Sequence, residues 1–147
     1  MANEIVTAIN QIVTVLKTVT ALKNVQGYPP EQMNYDLYAV VYPNNGSIDV
    51  APVGTRETLH NINIDVLRQR TDLARDMTVL YPLIDSVPNA LLLEVSYDSD
   101  GTPGSQFSNS IETFGNLSYS LIQSDYGGTP VIGYRFIMEE TKIQVNL

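Results

Sequence analysis

The chain contains no cysteine and a single histidine, His60, so thiol nucleophiles, thiolate metal sites and disulfides are excluded. Acid–base chemistry near neutral pH would fall to His60 or to a carboxylate of raised pKa. His60 shares the parity of Ile62 and Ile64, and this alternation predicts a packed, hydrogen-bonded strand histidine rather than a catalytic base. No Gly-rich phosphate loop follows a strand, and no G-x-S-x-G nucleophile elbow occurs. Asp98-Ser99-Asp100-Gly101 gathers oxygens on a Gly turn, as hard cations require, yet it lacks an acid at the first loop position and a closing bidentate Glu. It reads as a solvated acidic turn. The expectation is a protein without catalytic, cofactor or metal-binding residues.

Those residues sit around one organising stretch, residues 56–94. Ile62, Ile64 and Val66 fall on one parity and Asn61, Asn63 and Asp65 on the other, the period of a strand with one buried face. After Arg68-Gln69-Arg70 the period changes to that of a helix. Thr71 and Asp72 offer a cap and first-turn negative charge, and Leu73, Met77, Leu80, Ile84 and Val87 form the apolar stripe. Pro82 is expected to kink or split that helix, and Val87-Pro88-Asn89 to open a new short segment.

Ahead of it, Ile5, Ile9, Ile12, Val13, Leu16 and Val19 predict an amphipathic helix over residues 3–22, ended by Gly27-Tyr28-Pro29-Pro30. Residues 37–42 read as a strand, Pro43-Asn44-Asn45-Gly46 as a type I′ hairpin turn and residues 47–51 as its partner, making a three-stranded meander with the long strand. Residues 96–110 read as a long polar loop with Phe107 as its anchor. Leu117, Tyr119 and Leu121 alternate against Ser118, Ser120 and Ile122, Asp125-Tyr126-Gly127-Gly128 turns, and the last strand places Ile132, Tyr134, Phe136 and Met138 on one parity, with a bulge or a break expected at Glu139-Glu140. The expected fold is one α+β domain over residues 1–147, a mostly antiparallel sheet of four to five strands carrying an N-terminal and a central helix.

Charged residues make up only 16% of the 147, against about a quarter in an ordinary soluble domain, a composition that suits surfaces covered by other subunits. Net charge is −8, so attraction to nucleic-acid phosphates is not available to the chain as a whole. Between Arg75 and Arg135 there is no Lys or Arg, while Asp76, Asp85, Glu94, Asp98, Asp100, Glu112 and Asp125 lie in that interval. The N-terminal stretch lacks the pattern of a signal peptide and no segment is long and apolar enough to span a bilayer, so a cytoplasmic product without membrane contact is expected.

Leu59-His60-Asn61-Ile62, the closing Arg70-Thr71-Asp72-Leu73-Ala74-Arg75-Asp76, and Leu80-Tyr81-Pro82-Leu83-Ile84-Asp85-Ser86-Val87-Pro88-Asn89-Ala90-Leu91 resemble the tail-terminator (tail-to-head joining) proteins of long-tailed bacteriophages, with Tyr38-Ala39-Val40-Val41-Tyr42-Pro43 fitting the same pattern. The resemblance implies an α+β virion structural protein, assembled in the host cytoplasm, whose homohexameric ring caps the tail tube, stops its polymerisation and joins tail to head or neck. The implied partners are further copies of itself, the major tail tube protein and a head-completion or connector protein, with genomic DNA passing through the channel unbound. Within that picture some of Glu94, Asp98, Asp100 and Glu112 are expected to face the channel and repel phosphates, and Arg68, Arg70, Arg75 and Phe107 are candidates for subunit or partner contacts. Alternatives are another head–tail connector or tail-completion protein, and a small α+β binding domain or enzyme.

Overall fold

The structure, a computed structural model, describes residues 4–22, 24–27, 37–50, 56–95, 111–113, 115–126 and 128–143. In chain order the elements are α1 (Glu4–Leu16), β1 (Asn24–Gln26), β2 (Tyr38–Val50), β3 (Arg56–Gln69), α2 (Leu73–Leu80), α3 (Leu83–Val95), β4 (Ile111–Thr113), β5 (Leu117–Tyr126) and β6 (Thr129–Ile143). The fold is α+β. β2, β3, β6 and β5 lie side by side, each antiparallel to the next, with β1 added parallel to β2 and β4 sharing with β5 the outer side of β6.

One face of the sheet carries the helices. Ala8, Ile12 and Leu16 of α1 and Leu83, Val87 and Leu91 of α3 close over Ile62, Ile64 and Val66 of β3 and Phe136 and Met138 of β6. Each such large aliphatic side chain, taken fully from water, contributes about 1.5–3 kcal/mol before the entropy of ordering is charged against it. The other face holds a smaller cluster of Tyr38, Val40, Leu67 and Val131. The β3 alternation thus separates two packed layers, and its polar parity includes the buried Asn63 and Asp65.

Three local expectations are corrected. The N-terminal helix stops at Leu16, where Thr18 and Val19 switch to tighter bonds onto the Val15 and Leu16 carbonyls. The β-branched run Val13, Val15, Val19 disfavours a longer helix, and the chain instead adds β1 to the sheet. α3 runs straight through Pro88 instead of restarting there. Pro88 offers no N–H to the helix, and apolar residues on both sides, Val87 and Leu91, hold the segment against the core. The Pro82 break, by contrast, is as expected: α2 ends at Tyr81, whose N–H donates to the Met77 carbonyl at 2.9 Å, and the next bonds skip the proline nitrogen.

The third correction concerns Asn45-Gly46, which is not a hairpin turn. β2 continues as one strand through it, with a bulge at Asn44 where the register onto β3 shifts from Pro43↔Ile62 to Asn45↔Asn61. Neither residue has positive φ, so the type I′ geometry is absent. Gly46 is required for another reason: a Cβ there would collide with the Leu59 carbonyl and press on His60. The expected meander is therefore one long β2–β3 pair, flanked by β6 rather than by a third consecutive strand.

The bulge expected at Glu139-Glu140 is present, with the register onto β3 shifting between His60 and Ile62 and Glu140 held at φ 52. It lies beside the β2 bulge, and Asn61 of β3 holds both. Its Nδ2 donates to Asn45 Oδ1 at 2.6 Å and its Oδ1 accepts from the Glu140 N–H at 3.0 Å. Asn61→Ala is expected to lower stability by about 1 kcal/mol, because two partly exposed hydrogen bonds are lost. Glu140→Gly is expected to raise it by a similar ~1 kcal/mol by removing a left-handed backbone cost. Urea unfolding midpoints of the two variants check both signs.

Candidate assembly surface

The turn from β3 into α2 is fixed by a buried ion pair. Arg68 ends the core-facing parity of β3 and is 6% exposed, while Asp76, one turn into α2, is fully buried, with Nε to Oδ1 at 3.2 Å. Asp76 also accepts from the Thr71 N–H at 3.0 Å and the Thr71 hydroxyl at 3.3 Å, so its carboxylate closes the corner onto itself. Asp72 caps α2, its Oδ1 accepting from the Ala74 N–H at 3.1 Å. Arg70 leaves the corner outward. Its backbone N–H donates to the Pro130 carbonyl and its guanidinium to Gln123 Oε1 at 3.1 Å, tying the end of β3 to the β5–β6 hairpin.

Directing α2 this way brings its C-terminal end over β6 and β5. Tyr81, released from the helix by the break at Pro82, is 57% exposed. Tyr119 of β5 is 55% exposed and stacks edge-on against Tyr134 with centroids 5.8 Å apart, and it tilts over Phe136 at 6.2 Å. Burial raises the Tyr134 phenol above its ordinary value, and the neighbouring Tyr81 and Tyr119 phenols add to the effect. Leu121, two residues along β5, is 48% exposed. The result is a patch of phenols and one leucine on the helix-bearing face, reaching the rim of the sheet.

Among the described residues nothing pairs with that rim. β5 is ten residues long and among the described residues pairs only with β6, so its other side presents bare N–H and C=O groups. Natural sheets guard such edges with Lys, Pro, bulges or short strands. β5 has no Lys, Arg or Pro, its register onto β6 is unbroken, and its only charge is Asp125. Asp125 serves the hairpin, its Oδ1 accepting from the N–H of Gly128, whose φ of 88 suits only glycine.

The opposite face of the sheet carries a polar network. Arg135 of β6 donates from Nε to Asp65 Oδ1 at 2.8 Å and from Nη2 to Asp65 Oδ2 at 3.2 Å, the forked geometry of a guanidinium on a carboxylate. Nη2 also donates to the Tyr42 hydroxyl at 3.2 Å, which in turn donates to Asp65 Oδ2 at 2.8 Å, and Asn63 Nδ2 reaches the same hydroxyl. The hydrogen bond to Asp65 holds the Arg135 guanidinium above its ordinary value. Burial raises the Tyr42 phenol, with Asp65 adding to the rise. The network links β2, β3 and β6 across the sheet.

Of the contact residues expected from the sequence, Arg68 is corrected: it is turned inward and paired with Asp76, whose carboxylate offsets the cost of taking its charge from water. Arg70 and Arg75 are exposed. Glu94 falls in α3 and Glu112 in β4, but their side chains, like all of Asp98, Asp100, Phe107 and the 96–110 loop, lie outside the described residues. His60 is half-buried, paired with Gly46 and Thr141. The sequence does not reveal Tyr81, Tyr119 and Leu121 as surface residues, since the Leu117-Tyr119-Leu121 parity reads as core-facing until β5 is known to be an edge. Comparison of the chain with protein-family models and with curated proteins returns no match.

Asp76→Ala removes the carboxylate paired with a buried arginine and is expected to cost about 3–5 kcal/mol, whereas the double variant Arg68→Met, Asp76→Leu recovers much of that loss. A double-mutant cycle by denaturant unfolding measures the difference. Tyr42 sets an alkaline limit. Its phenol is raised in the folded state, so its contribution is fully present below the ordinary value of about 10 and is lost as pH rises through the folded value. Tyr42→Phe is expected to be less stable at neutral pH but to decline less steeply above about pH 10, read from melting temperatures across the range.

Proposed function

We propose that this chain is a virion structural protein of the tail-terminator kind, whose homohexameric ring caps the tail tube, ends its polymerisation and joins the tail to the head or neck. The observation that carries the reading is the unguarded ten-residue edge of β5 beside the exposed Tyr81, Tyr119 and Leu121, an edge that a solitary protein would have blunted. Tyrosines at the rim of a surface poor in charge are the composition of an interface centre.

The residues that carry the resemblance also occupy structurally decisive places. Arg70 to Asp76 form the strand-to-helix corner, and Tyr81-Pro82 is the break that exposes Tyr81. The partners of this reading are further copies of the chain, the tail tube protein and a head-completion or connector protein. Genomic DNA passes the ring without being held, and acids such as Glu94, Asp98, Asp100 and Glu112 toward the channel keep it from adhering, because duplex carries about one negative charge per 1.7 Å of axis.

The test is assembly. Purified protein added to polymerising tail tubes of its own virion is expected to appear by electron microscopy as a ring at one tube end and to arrest growth at that end. Tubes that continue to lengthen with no terminal density sink the proposal.

A further inference from the structure

We propose that the free edge of β5 takes the free stretch of β2, residues 41–50, of a second copy, in antiparallel pairing, so that successive copies continue one sheet head to tail. The inference rests on the chain being an assembly subunit and names the surfaces through which it assembles.

Among the described residues the two long stretches with one side unpaired are β5 and the part of β2 that β1 does not reach. β1 covers β2 only at Tyr38, Ala39 and Val40, and among the described residues 41–50 pair with β3 alone. Strand direction then decides the pairing. β2, β3, β6 and β5 alternate, so β2 and β5 run in opposite senses, and a copy set beyond β5 in the same orientation offers its β2 antiparallel to it. No turning over of the neighbour is needed.

The side chains match by face. Tyr119 and Leu121 of β5 oppose Phe136 and Tyr134, and Ile48 of β2 opposes Thr58, which faces the core residue Ile143. All three therefore stand on the helix-bearing face, and Ile48 is 56% exposed. Pairing the rims lays Ile48 of one copy beside the exposed tyrosine and leucine of the next. Charge agrees as well. The net charge of −8 opposes self-association, yet each free stretch has one charged residue, Asp49 and Asp125, each near its C-terminal end. Antiparallel pairing puts these two acids at opposite ends of the contact.

The free stretches also lie at different levels. β5 lies along the first part of β6, while residues 41–50 lie across β3 from its last part. Their pairing imposes a stagger along the strands, and a stagger with tilt is what allows a sheet to close on itself. A two-fold pairing of β5 with β5 would close at a dimer and leave Ile48 and its rim uncovered.

The test uses two variants of exposed residues. One blocks the β5 rim, Ser120→Glu with Leu121→Glu; the other blocks the β2 rim, Ser47→Glu with Ile48→Glu. Circular dichroism melts verify that both fold, and native mass spectrometry reads their assembly. The wild type is expected to form closed oligomers and each variant alone to be monomeric. An equimolar mixture is expected to give a one-to-one dimer and nothing larger, because each partner keeps one intact rim. A β2-blocked variant that dimerises alone overturns the proposal in favour of two-fold β5 pairing, and a mixture that stays monomeric overturns it outright. If both variants assemble as the wild type does, the contact lies elsewhere while the assembly reading stands. If the wild type is monomeric both in solution and on tube ends, both fail.

Discussion

The arrangement of this domain depends on one buried charge pair. Arg68 and Asp76 are each withdrawn from water, so neither tolerates the absence of the other, and the chain geometry that joins them folds α2 back from the end of β3. Thr71 completes the carboxylate's bonds and Asp72 caps the helix, so four residues at one corner fix where the first helical turn points. The consequences are mechanical. With α2 so directed, the break at Pro82 falls over the β5–β6 side of the sheet, and Tyr81 joins Tyr119 and Tyr134 there. A latch at the strand end thus decides which surface is left aromatic.

Legibility from sequence was uneven for physical reasons. β3, α2, the Pro82 break and the Glu139-Glu140 bulge could be read because each rests on local signals: alternation, a capping side chain, a missing amide, a change of parity. Asn45-Gly46 misled because its turn chemistry is a tendency of the isolated segment. In the folded chain the long pairing of β2 with β3 outweighs it, and the glycine is used for close approach to Leu59. The surface was the least legible part. Nothing in Leu117-Ser118-Tyr119-Ser120-Leu121 distinguishes a central strand with one buried face from a rim strand, because that distinction is made by β6 and by where α2 stops.

The two rims are also managed differently. The β2 rim carries Pro43, a bulge and a glycine, devices that twist an edge and discourage indiscriminate pairing. Asn61 couples this bulge to the strained Glu140 on β6, so the irregularity is held across three strands rather than left to fray. β5 carries none of these devices. A protein with both rims guarded would not pair through its sheet edges, and one with both rims flat would pair there without discrimination. One flat rim and one shaped rim define a direction, which is the requirement for a head-to-tail contact.

Charge then limits where that contact can form. A chain of net charge −8 repels its own copies over most of its surface, and at physiological salt the repulsion reaches about 8 Å. Close approach is cheapest along strips that carry no like charge, and there the main-chain donors and acceptors of a rim supply attraction that does not depend on net charge. Among the described residues β5 joins the two properties, with one charged residue, Asp125, and pairing on one side only. The acidic excess opposes association least along such a strip. It removes the competing encounters and leaves edge pairing as the approach with the least repulsion to overcome.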